Sequence, residues 1–192
     1  MGIHFGVDYY PEHWQRDRWE TDAELMKEMG LTVVRMAEFS WHKLEPQEGK
    51  YDFAWLDDAI DLLGRCGIRT IVGTPTAAPP AWMANRYPEI LPVDREGRVR
   101  GFGGRHHDCQ SNAVYRGFVR KIVTAMAVHY KDNPNVIGWQ PDNELGNSHH
   151  DLCMCESCRK NFQGWLEKKY GTVDRLNEAW GNAFWSQEYN EF

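Results

Sequence analysis

Two periods of apolar and polar residues take turns along this chain. Ile3 to Val7 is a short apolar run and predicts a strand. Arg16 to Met29 places Trp19, Ala23, Met26 and Met29 at three- and four-residue spacing, which predicts an amphipathic helix stopped by Gly30. The β-branched run Thr32 to Ala37 predicts a second strand. Asp52 is a candidate N-cap for a helix carrying Leu56, Ala59, Ile60, Leu63 and Cys66, closed by Gly67. Ile68 to Gly73 predicts the third strand. Ala113 to Tyr130, with Phe118, Ile122, Val123 and Met126 on one face, predicts a third helix. The fourth strand begins at Val136 and breaks off in Pro141-Asp142-Asn143-Glu144; helices from Cys158 to Tyr170 and from Thr172 to Trp180 follow.

Strands alternating with helices pair in parallel through right-handed crossovers. A doubly wound sheet is expected to carry a Gly-rich phosphate loop after an early strand, and Asp8-Tyr9-Tyr10-Pro11 stands there instead. The expected fold is therefore α/β of the (β/α)8 TIM-barrel type. Such a barrel takes about 250 residues and eight strands, so this chain is expected to supply roughly its first four β/α units. The connection from Thr74 to Asn112 is long and rich in Pro and Gly, and long loops in compact domains usually carry function. Arg35 is costly inside a strand unless it is paired or lies at a surface edge.

Composition narrows the partners. A net charge of −6 with no basic block argues against nucleic acid, and no apolar run approaches the ~20 residues of a membrane span. With no basic, apolar leader at the N-terminus, the expected location is cytoplasmic. Nine Trp and eight Tyr suit sugar faces as well as cores.

Two stretches carry chemistry. The end of the fourth strand delivers Asn143 and Glu144 to the barrel face where reacting groups collect. There a carboxylic acid can protonate a departing glycosidic oxygen while the amide donates to a neighbouring sugar hydroxyl; an ordinary polar turn uses the same residues. Cys153, Cys155 and Cys158 form a C-x-C-x-x-C cluster, and Cys109 in the long connection makes a fourth thiol. In a reducing compartment this spacing points to a closed structural zinc site rather than disulfides, with His107, His149 or His150 as alternative ligands. Cys66 reads as a buried core thiol.

Taken together, Tyr9-Tyr10-Pro11-Glu12-His13-Trp14, Glu38-Phe39-Ser40-Trp41, Arg105 ahead of Cys109, Trp139-Gln140-Pro141-Asp142-Asn143-Glu144, the cysteine cluster and Phe184-Trp185-Ser186 resemble glycoside hydrolase family 42, the β-galactosidases. The resemblance implies a retaining glycosidase whose catalytic domain begins within residues 1–192, with Glu144 as general acid/base. It implies that Asn143 and Arg105 hold galactose, that Trp185 lines the same pocket, and that Cys109, Cys153, Cys155 and Cys158 bind zinc. Arg35 matches, more loosely, an arginine that related barrels keep near the nucleophile. The nucleophilic glutamate itself is expected beyond residue 192, and Glu38 and Glu12 are the carboxylates within the chain that would have to replace it. The implied partner is a β-galactoside. Another retaining glycosidase, acting on a β-glucoside, β-fucoside or α-arabinopyranoside, or a zinc-stiffened half-barrel that binds sugar or a partner chain without hydrolysis, fits the same residues. Open sheet edges lead to the further expectation that the chain alone is inactive and self-associates or joins a complementing C-terminal half.

Overall fold

The computed structural model describes residues 3–144 and 152–192. Four strands, β1 (Gly6–Asp8), β2 (Val33–Met36), β3 (Arg69–Gly73) and β4 (Val136–Gln140), form one all-parallel sheet in the spatial order β1-β2-β3-β4. Helices α1 (Arg18–Glu28), α2 (Trp41–Leu44), α3 (Ala54–Arg65), α4 (Ala81–Arg86) and α5 (Ala113–Tyr130) lie in the connections, and α6 (Glu156–Tyr170) and α7 (Val173–Trp180) follow β4. Each strand is laid on the same side of the one before it. With right-handed crossovers, that order keeps every connecting helix on one face, whereas a doubly wound sheet reverses direction and takes helices on both. The architecture is thus a partial barrel.

The core fills the space between this sheet and its helices. Val34, Met36 and Val72 meet Trp19 and Ala23 of α1, Ile60 and Leu63 of α3, and Ile122 and Met126 of α5 in one buried cluster. The opposite face carries a register row of Asp8, Arg35, Ile71 and Gly138, so alternation sends Arg35 inward while Val34 and Met36 go to the core. Pairing between β3 and β4 slips after Thr70, which faces Val136 while Ile71 faces Gly138; Ile137 is the extra residue of a bulge that bends β4 and re-aims its tip. β1 and β4 are the two sheet edges, and Val7, Ile137 and Trp139 on them are partly exposed.

Most predicted elements stand within two residues of their expected ends. β1 starts three residues late, at Gly6, because Ile3 has no neighbour to pair with and lies fully in solvent, although Phe5 already accepts the Thr32 and Val33 amides. α3 starts after Phe53 rather than Asp52, whose carboxylate accepts the Ala54 amide in a turn just ahead of it. The long connection is less irregular than its Pro and Gly content suggests. It holds α4, two single-turn 3-10 helices (Pro75–Ala77 and Pro88–Ile90) and a bridge between Val93 and Val99. Asn112 ends it as a strong N-cap for α5: its Oδ1 accepts from Val114 and Tyr115 at 2.9 and 3.0 Å, while its Nδ2 donates to the Glu89 carbonyl at 2.9 Å.

The last residue of β3 has to be glycine for a packing reason. A Cβ on Gly73 would fall 2.5 Å from the Cβ of Glu38 and 2.9 Å from its backbone nitrogen. Gly73→Ala is therefore expected to lower unfolding free energy by about 1–3 kcal/mol, the usual cost of overpacking. Urea denaturation measures this, and an unchanged midpoint would mean that β2 and β3 are further apart than described.

Candidate active site and cysteine cluster

All four strand tips open toward the same end of the sheet. At β2 the chain leaves the strand through Ala37, a non-glycine residue with φ 83°, and this left-handed step turns Glu38 back into the structure. The Glu38 side chain is 0% exposed. Its Oε1 lies 3.0 Å from Arg35 Nη2 and accepts a hydrogen bond from the Tyr10 hydroxyl at 2.9 Å. The same Arg35 nitrogen donates to Asp8 Oδ2 at 2.7 Å. β2 lies between β1 and β3, so Arg35 is paired within the sheet and is not at an edge. Burial works against its charge, but the Glu38 and Asp8 carboxylates outweigh burial and raise its pKa. Burial and the bond to Glu38 push the Tyr10 hydroxyl up to about 12.

The tip of β4 is built by short local bonds. Gln140 Nε2 donates to the Asp142 carbonyl at 2.8 Å and to Asn143 Oδ1 at 3.2 Å, and the Asp142 amide donates to Thr74 Oγ1 on the end of β3 at 2.7 Å. Asp142 (φ 58°) and Glu144 (φ 48°) both take left-handed backbone. Such conformations cost on the order of 1–3 kcal/mol each and persist where the surroundings fix them, commonly at functional sites. They bury Asn143, which is 5% exposed, and turn Glu144 outward with its side chain half exposed. Arg105 reaches over from the long connection: its Nη2 is 2.9 Å from Glu144 Oε2, and its guanidinium lies 5.8 Å above the Phe39 ring in the loop after β2. A half-exposed carboxylate beside a guanidinium and a buried amide is equipped to exchange a proton with a bound hydroxyl or ether oxygen.

Asn143, Glu144, Arg105 and Arg35 are thus gathered at one end of the sheet. Trp185 is 79% exposed, and its ring stands edge-on to Phe184 with centroids 5.1 Å apart. Glu38 is sealed in, and Glu12 accepts a hydrogen bond from Ser40 Oγ at 2.5 Å, so neither offers a solvent-facing carboxylate beside Glu144. The roles of Asp8, Tyr10 and Thr74 were not read from the sequence. Register could have found Asp8, which pairs directly with Arg35, but nothing local marks Thr74 as the support of Asp142.

The second cluster lies between the start of α5 and the start of α6. The sulfurs of Cys109, Cys153, Cys155 and Cys158 all lie within 4.8 Å of one another, with Cys109 3.3 Å from Cys155 and 3.4 Å from Cys158. These separations are far too long for the ~2.05 Å of a disulfide. They are near those of four thiolates arranged tetrahedrally at about 2.3 Å from one metal ion. Burial resists ionisation of Cys155, but the Cys158 backbone N–H and the adjoining thiols overcome it and lower its pKa, while burial raises Cys109 and Cys158. Val93 N donates to Cys153 Sγ at 3.5 Å, and Met154 N to the Val93 carbonyl at 2.8 Å, which ties the cluster to the long connection. The four thiols can hold a metal ion. His107 is not among them, being buried with Nε2 3.0 Å from the Pro79 carbonyl; Cys66 packs against the core, and His149 and His150 lie outside the described residues.

This chain is similar to known proteins along its whole length. The family Glyco_hydro_42, described as beta-galactosidase, matches residues 8–192. A β-galactosidase from Thermus thermophilus is 54% identical over 187 residues, 97% of this chain and 29% of that protein. The crystal structure of β-galactosidase from the psychrophilic Marinomonas ef1 superposes with a TM-score of 0.94 at 46% identity, over 98% of this chain and 29% of that one. Gan42B, a family 42 β-galactosidase from G. stearothermophilus, gives a TM-score of 0.93 at 39% identity, over 98% of this chain and 28% of that one, and was also solved as a catalytic mutant with glutamate replaced by alanine. The chain therefore spans under a third of the length of the relatives it matches. On its matched residues, identity and fold, it belongs to glycoside hydrolase family 42, the β-galactosidase family.

Proposed function

We propose that residues 1–192 are the N-terminal part of the catalytic domain of a retaining β-galactosidase, and that Glu144 is its general acid/base. The observation that carries this reading is Glu144 itself: half exposed at the tip of β4, on left-handed backbone, 2.9 Å from Arg105 and next to buried Asn143. In the first step Glu144 gives its proton to the glycosidic oxygen as the bond to the anomeric carbon breaks and a second carboxylate, from a strand outside these residues, attacks that carbon. In the second step Glu144 takes a proton from the water that opens the ester. Arg105, 2.9 Å from Glu144, is placed to hold a galactose hydroxyl beside the acid/base. Asn143 donates to the hydroxyl beside the anomeric carbon, Arg35 stands near the second carboxylate, and Trp185 lines the same pocket.

The cysteine cluster is proposed to bind one structural zinc ion through Cys109, Cys153, Cys155 and Cys158. Four thiolates close the coordination shell, so the metal stiffens the loops on either side of β4 and takes no part in the reaction.

Two outcomes test these assignments. In the enzyme with a complete barrel, Glu144→Gln is expected to slow hydrolysis of unactivated galactosides by about 10²–10⁴-fold, the usual worth of general acid/base catalysis. Galactosides with good leaving groups should lose less in the first step, and azide should restore turnover as galactosyl azide; equal losses with no azide adduct would rule out the role. Elemental analysis should find one zinc per chain. Cys153→Ser should release it and lower the melting temperature, whereas full melting temperature without metal would remove zinc from the account.

A further inference from the structure

Glu38 is a buried charge to which the reading above gives no task. Hiding a carboxylate is costly unless a cation and hydrogen bonds compensate, and replacing a buried ion pair with apolar side chains is often neutral or stabilising. Yet two unusual backbone features accommodate this one: the left-handed turn at Ala37 and the bare Cα of Gly73. The compensation is also incomplete. Glu38 Oε2 and Arg35 Nε are both buried without a hydrogen-bond partner among the described residues. A group kept at such cost is better explained by what it holds than by stability.

What it holds is Arg35. Two carboxylates converge on Arg35 Nη2, buried Glu38 at 3.0 Å and half-exposed Asp8 at 2.7 Å. The Arg35 side chain is 30% exposed, on the inward row that ends at the candidate site. Asp8 alone would not fix it, since a solvated surface pair contributes little and lets the guanidinium pivot. Glu38 is itself immobile, because Tyr10 holds the same oxygen and Gly73 backs its Cβ. We propose that Glu38 is a positioning residue of the active site: it fixes the Arg35 guanidinium from behind the end of β2, so that its exposed part is held toward the reacting sugar or carboxylate. It acts through Arg35 and touches no substrate. This inference rests on the galactosidase reading.

A double-mutant cycle in the enzyme with a complete barrel tests it, using Glu38→Gln, Arg35→Met and the two together, with kcat, KM and melting temperature measured for each. Glu38→Gln is expected to lower kcat/KM by about 10²-fold, the scale of an ångström's misplacement, mainly through kcat. In the Arg35→Met background the same change should have no further effect on kcat/KM. The double variant removes both charges and keeps the comparison available where a single variant folds poorly. Independent, multiplying losses would overturn the inference, and so would a lowered melting temperature with kcat/KM unchanged, or full activity in Arg35→Met. Full activity in Glu144→Gln would instead strike at the acid/base reading and leave the Arg35 cycle to be judged by itself.

Discussion

A parallel strand cannot turn straight back to its neighbour; the chain must cross over and start again at the same end. In this protein that constraint acts three times in one direction, giving the strand order β1-β2-β3-β4. Every strand therefore finishes on one side, and the residue just past each tip meets those past the others although tens of residues separate them in sequence. Asp8, the last residue of β1, and Glu38, Thr74 and Asp142, each one or two steps beyond a strand, become neighbours or near neighbours in this way. Most of the functional side chains are in loops, with Asp8 and Arg35 on the strands themselves, and the ladder of backbone bonds beneath them decides where they stand.

Order at the tips is secured by features unfavourable elsewhere. Ala37, His106, Asp142 and Glu144 hold left-handed backbone without being glycine, and Arg35 and Glu38 carry charge where solvent is scarce. Three of these are held by contacts that reach across elements: Thr74 under Asp142, Arg105 on Glu144 and Tyr10 on Glu38. The cysteine cluster extends the same logic beyond the sheet, joining the end of the long connection to the start of α6. Stability is given up locally, and preorganisation is what the exchange provides.

Much of this was legible in the residues. The helix period of Leu56, Ala59, Ile60 and Leu63 and the β-branched run at Val33 and Val34 set the elements, because a buried face must repeat with its backbone. The four cysteines announced a cluster through spacing alone. Arg35 in a strand called for either a partner or a surface edge, and the choice depended on strand order and register, which are properties of paired strands. The β4 bulge and the hold of Thr74 on Asp142 were invisible for the same reason: each arises only when β3 and β4 are side by side. α2 and α4 were missed because one-turn and two-turn helices leave too few residues to show a period.

The central claim is that Glu144 is the proton-transferring carboxylate of a retaining site. A crystal structure of the enzyme with a complete barrel, trapped as its 2-fluorogalactosyl ester, tests it most directly. The expected result is an ester to a carboxylate from a later strand, with Glu144 about 5–5.5 Å from that carboxylate and facing the anomeric carbon from the leaving-group side. An ester on Glu144 itself, or no ester and a carboxylate separation of about 6.5–9.5 Å, would contradict it.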